Sequence, residues 1–321
     1  MPAITVDNPL VLPRIDQPPA EAVGRPVAQV VDAHHAVEGA GFEVWRPFPG
    51  GVDARLADPF FLLDQLGPVD YGPLQAVGAP WHPHRGLETV TYLLDGVVEH
   101  HDSNGGGGII GEGDTQWMTA GAGILHDEVP TTSFARTGGR SHGVQLWVNL
   151  PAASKFAPPR YQAIPGGELT LLSSADGAAL VRLIAGELGD HSGPGVTHTP
   201  ITYAHASVSA GARLDVPWNR DFNALAYVLT GRGYAGAERR PVEAHQLVVF
   251  GPGDAVTVGA ADRQPEDSPN LEILLLGGLP LREPIAHYGP FLMNSREQIV
   301  QAIEDYNAGR MGLVPAAEPS R

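Results

Sequence analysis

The sequence predicts an all-β protein of two antiparallel barrels with a short C-terminal helix, and three observations carry that expectation. Glycine and proline are abundant, 40 and 30 of 321 residues, below the range of low-complexity chains but suited to many short strands joined by tight turns. Strand-like segments with turn residues between them fill most of the chain. The third observation is a weak internal repeat. Thr91-Tyr92-Leu93-Leu94-Asp95-Gly96 resembles Ala226-Tyr227-Val228-Leu229-Thr230-Gly231 at an offset of 135, and Gly111-Glu112-Gly113-Asp114 resembles Gly251-Pro252-Gly253-Asp254 at an offset of 140. Strand-plus-turn matches at nearly one offset indicate a duplicated β-domain.

The predicted organisation is a leader over residues 1–24, a first barrel over 25–150, a proline-rich linker over 151–165, and a second barrel with the helix over 166–321. Val27 to Val31 and Gly41 to Trp45 read as short strands, with His34-His35 in their connection. Pro59 to Asp64 is a continuous apolar run of the kind that is buried on both faces. From His82 the even positions read His82, His84, Gly86, Glu88, Val90, Tyr92 and Leu94, one face of one strand if it continues without a bulge. Asp95-Gly96 supplies a turn and Val97 to His101 a returning strand. Gly105 to Gly108 reads as a flexible loop and not as a phosphate cradle, since no Lys-Ser/Thr and no helix pattern follow. Thr115 to Thr119 is a strand, Gly121-Ala122-Gly123 a tight bend, and Gly143 to Leu150 a strand with Gln145 and Trp147 on one face and Leu146 and Val148 on the other. Asn294-Ser295-Arg296-Glu297 has a capping-box pattern, and Ile299, Ile303 and Tyr306 form a helical stripe that ends at Gly309, as expected of a helix covering a sheet.

Composition excludes several function classes. A formal charge of −16 and the lack of any Arg/Lys run argue against direct nucleic-acid binding. Lys155 is the single lysine, so a Schiff-base mechanism has one candidate. Without cysteine there is no disulfide framework, thiolate nucleophile or iron–sulfur cluster, and any metal must be held by histidine and carboxylate. Met1 to Ala20 lacks the basic start and apolar run of a signal peptide. The most apolar segment, Leu271 to Leu281, is too short to span a bilayer. A cytoplasmic protein without membrane contact is therefore expected.

The chemistry concentrates between Trp81 and Pro130. His82-Pro83-His84 opens this stretch and His126-Asp127-Glu128 closes it. Residues two apart on a strand share a face, so two adjacent strands would bring three imidazoles and one carboxylate to a point. One H-x-H pair is often structural; a second cluster, with turns between to return it beside the first, favours a metal. Such a set suits Fe(II), Mn, Ni, Co or Zn, and on an octahedral ion it leaves two positions open. Glu88 reads either as a ligand or as a residue orienting a ligating histidine. His100, His101 and His142 are further candidates for supporting or structural roles. In the repeat, the five positions fall on Pro217, Asn219, Asn223, Glu266 and Ser268, which cannot hold a transition metal tightly. His191, His198, His205, His245 and His287 read as surface or hydrogen-bonded core residues.

Five segments then resemble one family: His82-Pro83-His84-Arg85-Gly86-Leu87-Glu88-Thr89, Gln116-Trp117-Met118-Thr119-Ala120-Gly121, Gly123-Ile124-Leu125-His126, Gln145-Leu146-Trp147-Val148-Asn149-Leu150-Pro151 and Tyr288-Gly289-Pro290-Phe291-Leu292-Met293-Asn294. Together they resemble the pirins of the cupin superfamily over roughly residues 25–312. The resemblance implies a bicupin, two jelly-roll barrels with metal only in the first. It places iron ligands at His82, His84, His126 and Glu128 and so gives Glu88 a supporting role. It also implies a quercetin 2,3-dioxygenase, opening a flavonol ring with dioxygen and releasing carbon monoxide, with Glu128 or a neighbouring carboxylate as proton acceptor. A second implication is a regulator that senses redox state through its iron and acts on a protein partner. A cupin isomerase fits the pirin-specific segments poorly.

Overall fold

The structure, a computed structural model, describes residues 4–38 and 41–314. The first three residues of the expected leader and the last seven of the expected second domain lie outside them. The strands that build the first half are β1 (Val27–Asp32), β2 (His34–Glu38), β3 (Phe42–Phe48), β4 (Phe60–Tyr71), β5 (Ala79–His84), β6 (Leu87–Asp95), β7 (Val98–Asp102), β8 (Gly107–Ile110), β9 (Thr115–Thr119), β10 (Ile124–Pro130), β11 (Gly139–Asn149) and β12 (Arg160–Ile164). Seven of them form a large sheet in the order β12-β9-β6-β11-β4-β3-β2, and β5-β10-β7-β8 form a smaller one. Together they make a barrel. A second pair of sheets repeats the plan, with strands Arg213–Pro217, Ala255–Ala260, Arg232–Ala235 and Arg240–Glu243 in the small sheet.

The two large sheets pack face to face. Val90, Tyr92, Trp117 and Leu146 of the first meet Tyr203, Leu225, Tyr227 and Leu274 of the second in one buried cluster. Alternation along β11 explains why both faces are in use: Leu146 and Val148 enter this interface, while Gln145 and Trp147 face the inside of the first barrel.

Both chain ends cross over. β1 pairs with Gln246–Phe250 in the second large sheet, and the leader follows it, with Ile15 buried and its N–H bonded to Ser173. In the other direction, the strand Phe291–Met293 and the helix Arg296–Asn307 pack on the first barrel, where Phe291, Met293, Ile299 and Ala302 bury Leu125. Residues 160–164 of the expected linker are β12, an edge strand of the first large sheet. Two segments assigned to one barrel by chain order thus pack on the other, and part of the linker joins the first large sheet, because an exposed sheet edge is satisfied by whichever segment pairs with it.

Several local expectations are corrected. His34-His35 begins strand β2, and Gly107-Gly108 begins β8. The segment after Asp95-Gly96 returns to the small sheet, where β7 pairs with β8 and β10, so this turn is a corner between sheets. The helix is capped one residue later than its pattern suggests: Ser295 is the cap and Gln298 closes the box. Its buried residues are Ile299 and Ala302, while Tyr306 is exposed.

The repeat also reads differently in space. His82 pairs with His126 and His84 with Ile124 in the first small sheet. At the same place in the second, Leu214 pairs with Val258 and Val216 with Val256. The offset-140 match therefore slips by one strand, since Gly251 to Asp254 precedes the counterpart of β10, whereas Gly111 to Asp114 precedes β9. Core aliphatics stand where the first barrel has its histidines.

Candidate metal centre

Gly86 decides how the site is built. Its φ of +81° is a conformation that L side chains rarely adopt, and it ends β5 in the small sheet so that β6 can start in the large one. The expected single face from His82 to Leu94 is broken there. His82 and His84 point into the barrel, but beyond the kink the inward residues are the odd ones, with Thr91 and Leu93 lining the same cavity. Val90, Tyr92 and Leu94 point to the second barrel. Glu88 follows them: its carboxylate accepts from Thr119 at 2.7 Å and from Thr197 of the second half. Among the described residues it orients no histidine, and the supporting role expected of it is corrected to a buried link between the two halves.

β5 and β10 lie side by side and bring three of the four predicted ligands together. Donor atoms of His82, His84 and His126 all lie within 4.8 Å of one another. His82 Nε2 and His84 Nε2 are 3.1 Å apart. Their other nitrogens face backbone carbonyls, His82 Nδ1 at 2.7 Å from Pro80 O and His84 Nδ1 at 3.2 Å from Pro290 O. A ring that donates through Nδ1 presents the lone pair of Nε2, so these contacts set the tautomer that a metal requires. His126 Nδ1 lies 3.3 Å from His100 Nδ1, while its Nε2 is buried with no hydrogen-bond partner among the described residues. Burial, with a smaller contribution from neighbouring histidines, holds the His84 and His126 imidazoles well below their ordinary pKa. Neutral, converging and partly unpartnered nitrogens fit a transition metal.

Glu128 stands outside that tight set but lines the same cavity. A register shift between His126 and Glu128 sets it back from β5. Thr91 donates to it at 2.7 Å and Gln145 at 3.4 Å, and Gln116 donates as well. Asp127 points the other way, 2.9 Å from His101 Nδ1, as alternation predicts. His142 is 3.0 Å from Gln65 at the interface between the barrels.

The cavity, about 650 Å³, has mixed walls. Phe61 and Trp147 stack at 6.3 Å, and His84 meets Trp147 edge-on at 5.1 Å. His287 and Pro290 come from the far end of the chain, with His287 4.6 Å from Phe61. Nothing local in the sequence ties residues 287–290 to His84. Only the Tyr288-to-Asn294 motif marks that segment. A larger groove of about 910 Å³, beside Trp218 and Asp254, lies on the second half, and no metal-ligand cluster accompanies it among the described residues.

Two cupin barrels, with a three-histidine cluster in the first and an aliphatic core in the second, define a bicupin with a candidate metal centre in one half. Residues 41–148 match the pirin family and residues 203–312 match the pirin C-terminal cupin domain. A Pseudomonas aeruginosa protein provisionally named quercetin 2,3-dioxygenase is 42% identical over 85% of this chain and 93% of its own. Rat pirin is 37% identical over 86% and 90%. The crystal structure of a quercetin 2,3-dioxygenase from Acinetobacter baumannii superposes with a TM-score of 0.84 at 35% identity, covering 91% of this chain and all of that one. This chain belongs to the pirin family.

Proposed function

We propose that this protein is an Fe(II)-dependent dioxygenase that opens the heterocyclic ring of a flavonol with dioxygen and releases carbon monoxide. One observation carries the reading: three imidazole nitrogens converge inside the first barrel, beside a carboxylate, on a cavity with aromatic walls. The names of the Pseudomonas and Acinetobacter relatives support the substrate class. His82, His84 and His126 would hold the metal, with Glu128 as the fourth ligand. Bound there, the metal would supply Lewis-acid activation of a flavonol hydroxyl and electron transfer to dioxygen. Mn, Ni, Co or Zn would fit the same donors.

The chain's own residues do the rest. Phe61 and Trp147 offer faces for a planar ring and keep water from it. Glu128 lies on the cavity wall as acceptor for the proton of the flavonol 3-hydroxyl, and Thr91, Gln116 and Gln145 fix its position. The protein works in the cytoplasm in this reading. Among the described residues no helix is long and apolar enough to cross a membrane.

A second reading, an iron-binding redox sensor that acts through a protein partner, draws on relatives named simply as pirins and on the charge of −16. One assay separates the two. Aerobic protein loaded with Fe(II) should consume quercetin and release carbon monoxide, and H84A should do neither. Stoichiometric metal without turnover selects the sensor, and failure to bind metal removes both.

A further inference from the structure

A polar row crosses five adjacent strands of the first large sheet. Gln116, Thr91, Gln145 and Asp64 are successive cross-strand partners on β9, β6, β11 and β4. Arg46 on β3, one residue past the Trp45–Gln65 pair, extends the row to Asp64. One end of it is accounted for, since Gln116, Thr91 and Gln145 all donate to Glu128. The other end has no part in the reaction described above. There Arg46 grips Asp64 through two bonds, Nε to Oδ1 at 2.7 Å and Nη2 to Oδ2 at 2.6 Å, and holds Glu38 through Nη1 at 2.6 Å.

This ion pair lines the same cavity as His82, His84 and Glu128. The side chains of Arg46 and Asp64 are only 16% and 8% exposed, and they share the wall with Phe61, Leu62 and Leu66. Three of the five guanidinium N–H groups are used by Asp64 and Glu38, so two remain to donate. The Asp64 oxygens also keep lone pairs for a ligand O–H. An apolar ligand pressed against them would leave desolvated donors unpaired, whereas a hydroxyl can donate to the carboxylate and accept from the guanidinium.

We propose that Arg46 and Asp64 form a second polar subsite, which selects planar aromatic substrates bearing a hydroxyl at the end remote from the metal centre. Two strand spacings, roughly 10 Å, separate Asp64 from Thr91, the donor to Glu128, so the subsite reads a different part of the ligand from the group at the centre. The proposal rests on the flavonol reading and deepens it.

Anaerobic binding to the Fe(II)-loaded protein, followed by quenching of tryptophan fluorescence, tests it with two flavonols. Quercetin carries two hydroxyls on its pendant ring and galangin carries none there. The wild type should bind quercetin roughly tenfold or more tightly than galangin, because a site built around hydrogen-bonding groups rejects the analogue that lacks them. In D64N, and in the double variant R46M/D64L that removes both charges together, the preference should fall below about threefold while galangin binds as before. Equal binding of both flavonols by the wild type, or an intact preference in both variants, overturns the subsite and leaves the flavonol reading standing. Loss of galangin affinity in both variants assigns the pair a structural role and likewise overturns it. A wild type that binds neither flavonol overturns the subsite and the flavonol reading together.

Discussion

Leaving a buried polar atom without a partner costs roughly 1–3 kcal/mol, and His126 Nε2 is such an atom beside two other imidazoles that converge on the same point. A metal ion held there would relieve that cost, and the residues behind its ligands would then tune it. His100 is fully buried, stacks on Tyr161 at 5.0 Å and sits 3.3 Å behind His126. Outer partners of ligating histidines typically contribute 10–100-fold to metal affinity. H100A should therefore release Fe(II) to a competing chelator at roughly tenfold lower chelator concentration than the wild type. Unchanged retention would show that the His100–His126 contact does not orient the ligand. At this scale the sequence was informative. The spacing of His82, His84 and His126 picked out three histidines that the structure brings together, with Glu128 on the wall of the same cavity, and period-two alternation sent Asp127 outward. It could not separate Glu88 from the ligands by parity, because parity is conserved only along an unbroken strand.

The break is made by Gly86, whose backbone does what no other residue could do at that point. A Cβ there would lie 2.2 Å from Leu292 O and 2.6 Å from Met293 Sδ, on top of the unfavourable φ. G86A is expected to lower unfolding stability by about 2–4 kcal/mol, measured by urea denaturation, and to weaken metal retention because His84 is two residues away. A variant as stable as the wild type would show that the kink survives a side chain. Single strands such as β9 and β11 were legible from apolar alternation and their turns. Sheet membership was not. Asp95-Gly96 makes an equally good hairpin or sheet-to-sheet corner, and the difference lies in which edge the next strand finds.

Across the whole molecule, the single lysine ties distant segments together. Lys155, fully buried, donates to Gly86 O at 2.7 Å, Leu292 O at 2.6 Å and Asn149 Oδ1 at 2.5 Å. It fastens the kink after His84 to the C-terminal strand whose neighbour, Pro290, accepts from His84. Burial, partly opposed by Glu283, pulls the amine down to about 7 from 10.5. Between those values the unfolded chain binds more protons than the folded one, so the Lys155 contribution to stability rises with pH across that window and is constant below it. Melting curves at pH 7 and pH 9 should show a smaller gain with pH in K155M than in the wild type. An identical gain would mean that the lysine titrates alike in both states.

Composition, alternation and the paired histidine motifs were enough to indicate an all-β chain, its duplication and the half that holds the histidine cluster, because each is read from short local patterns. The exchange of chain ends, the inversion of facing at Gly86, the aliphatic pairs Leu214–Val258 and Val216–Val256 opposite the metal pairs, and the polar row ending at Arg46 were decided only in three dimensions. Edge pairing and cross-strand register join residues from distant parts of the chain, and no local period records which strand a given edge will accept.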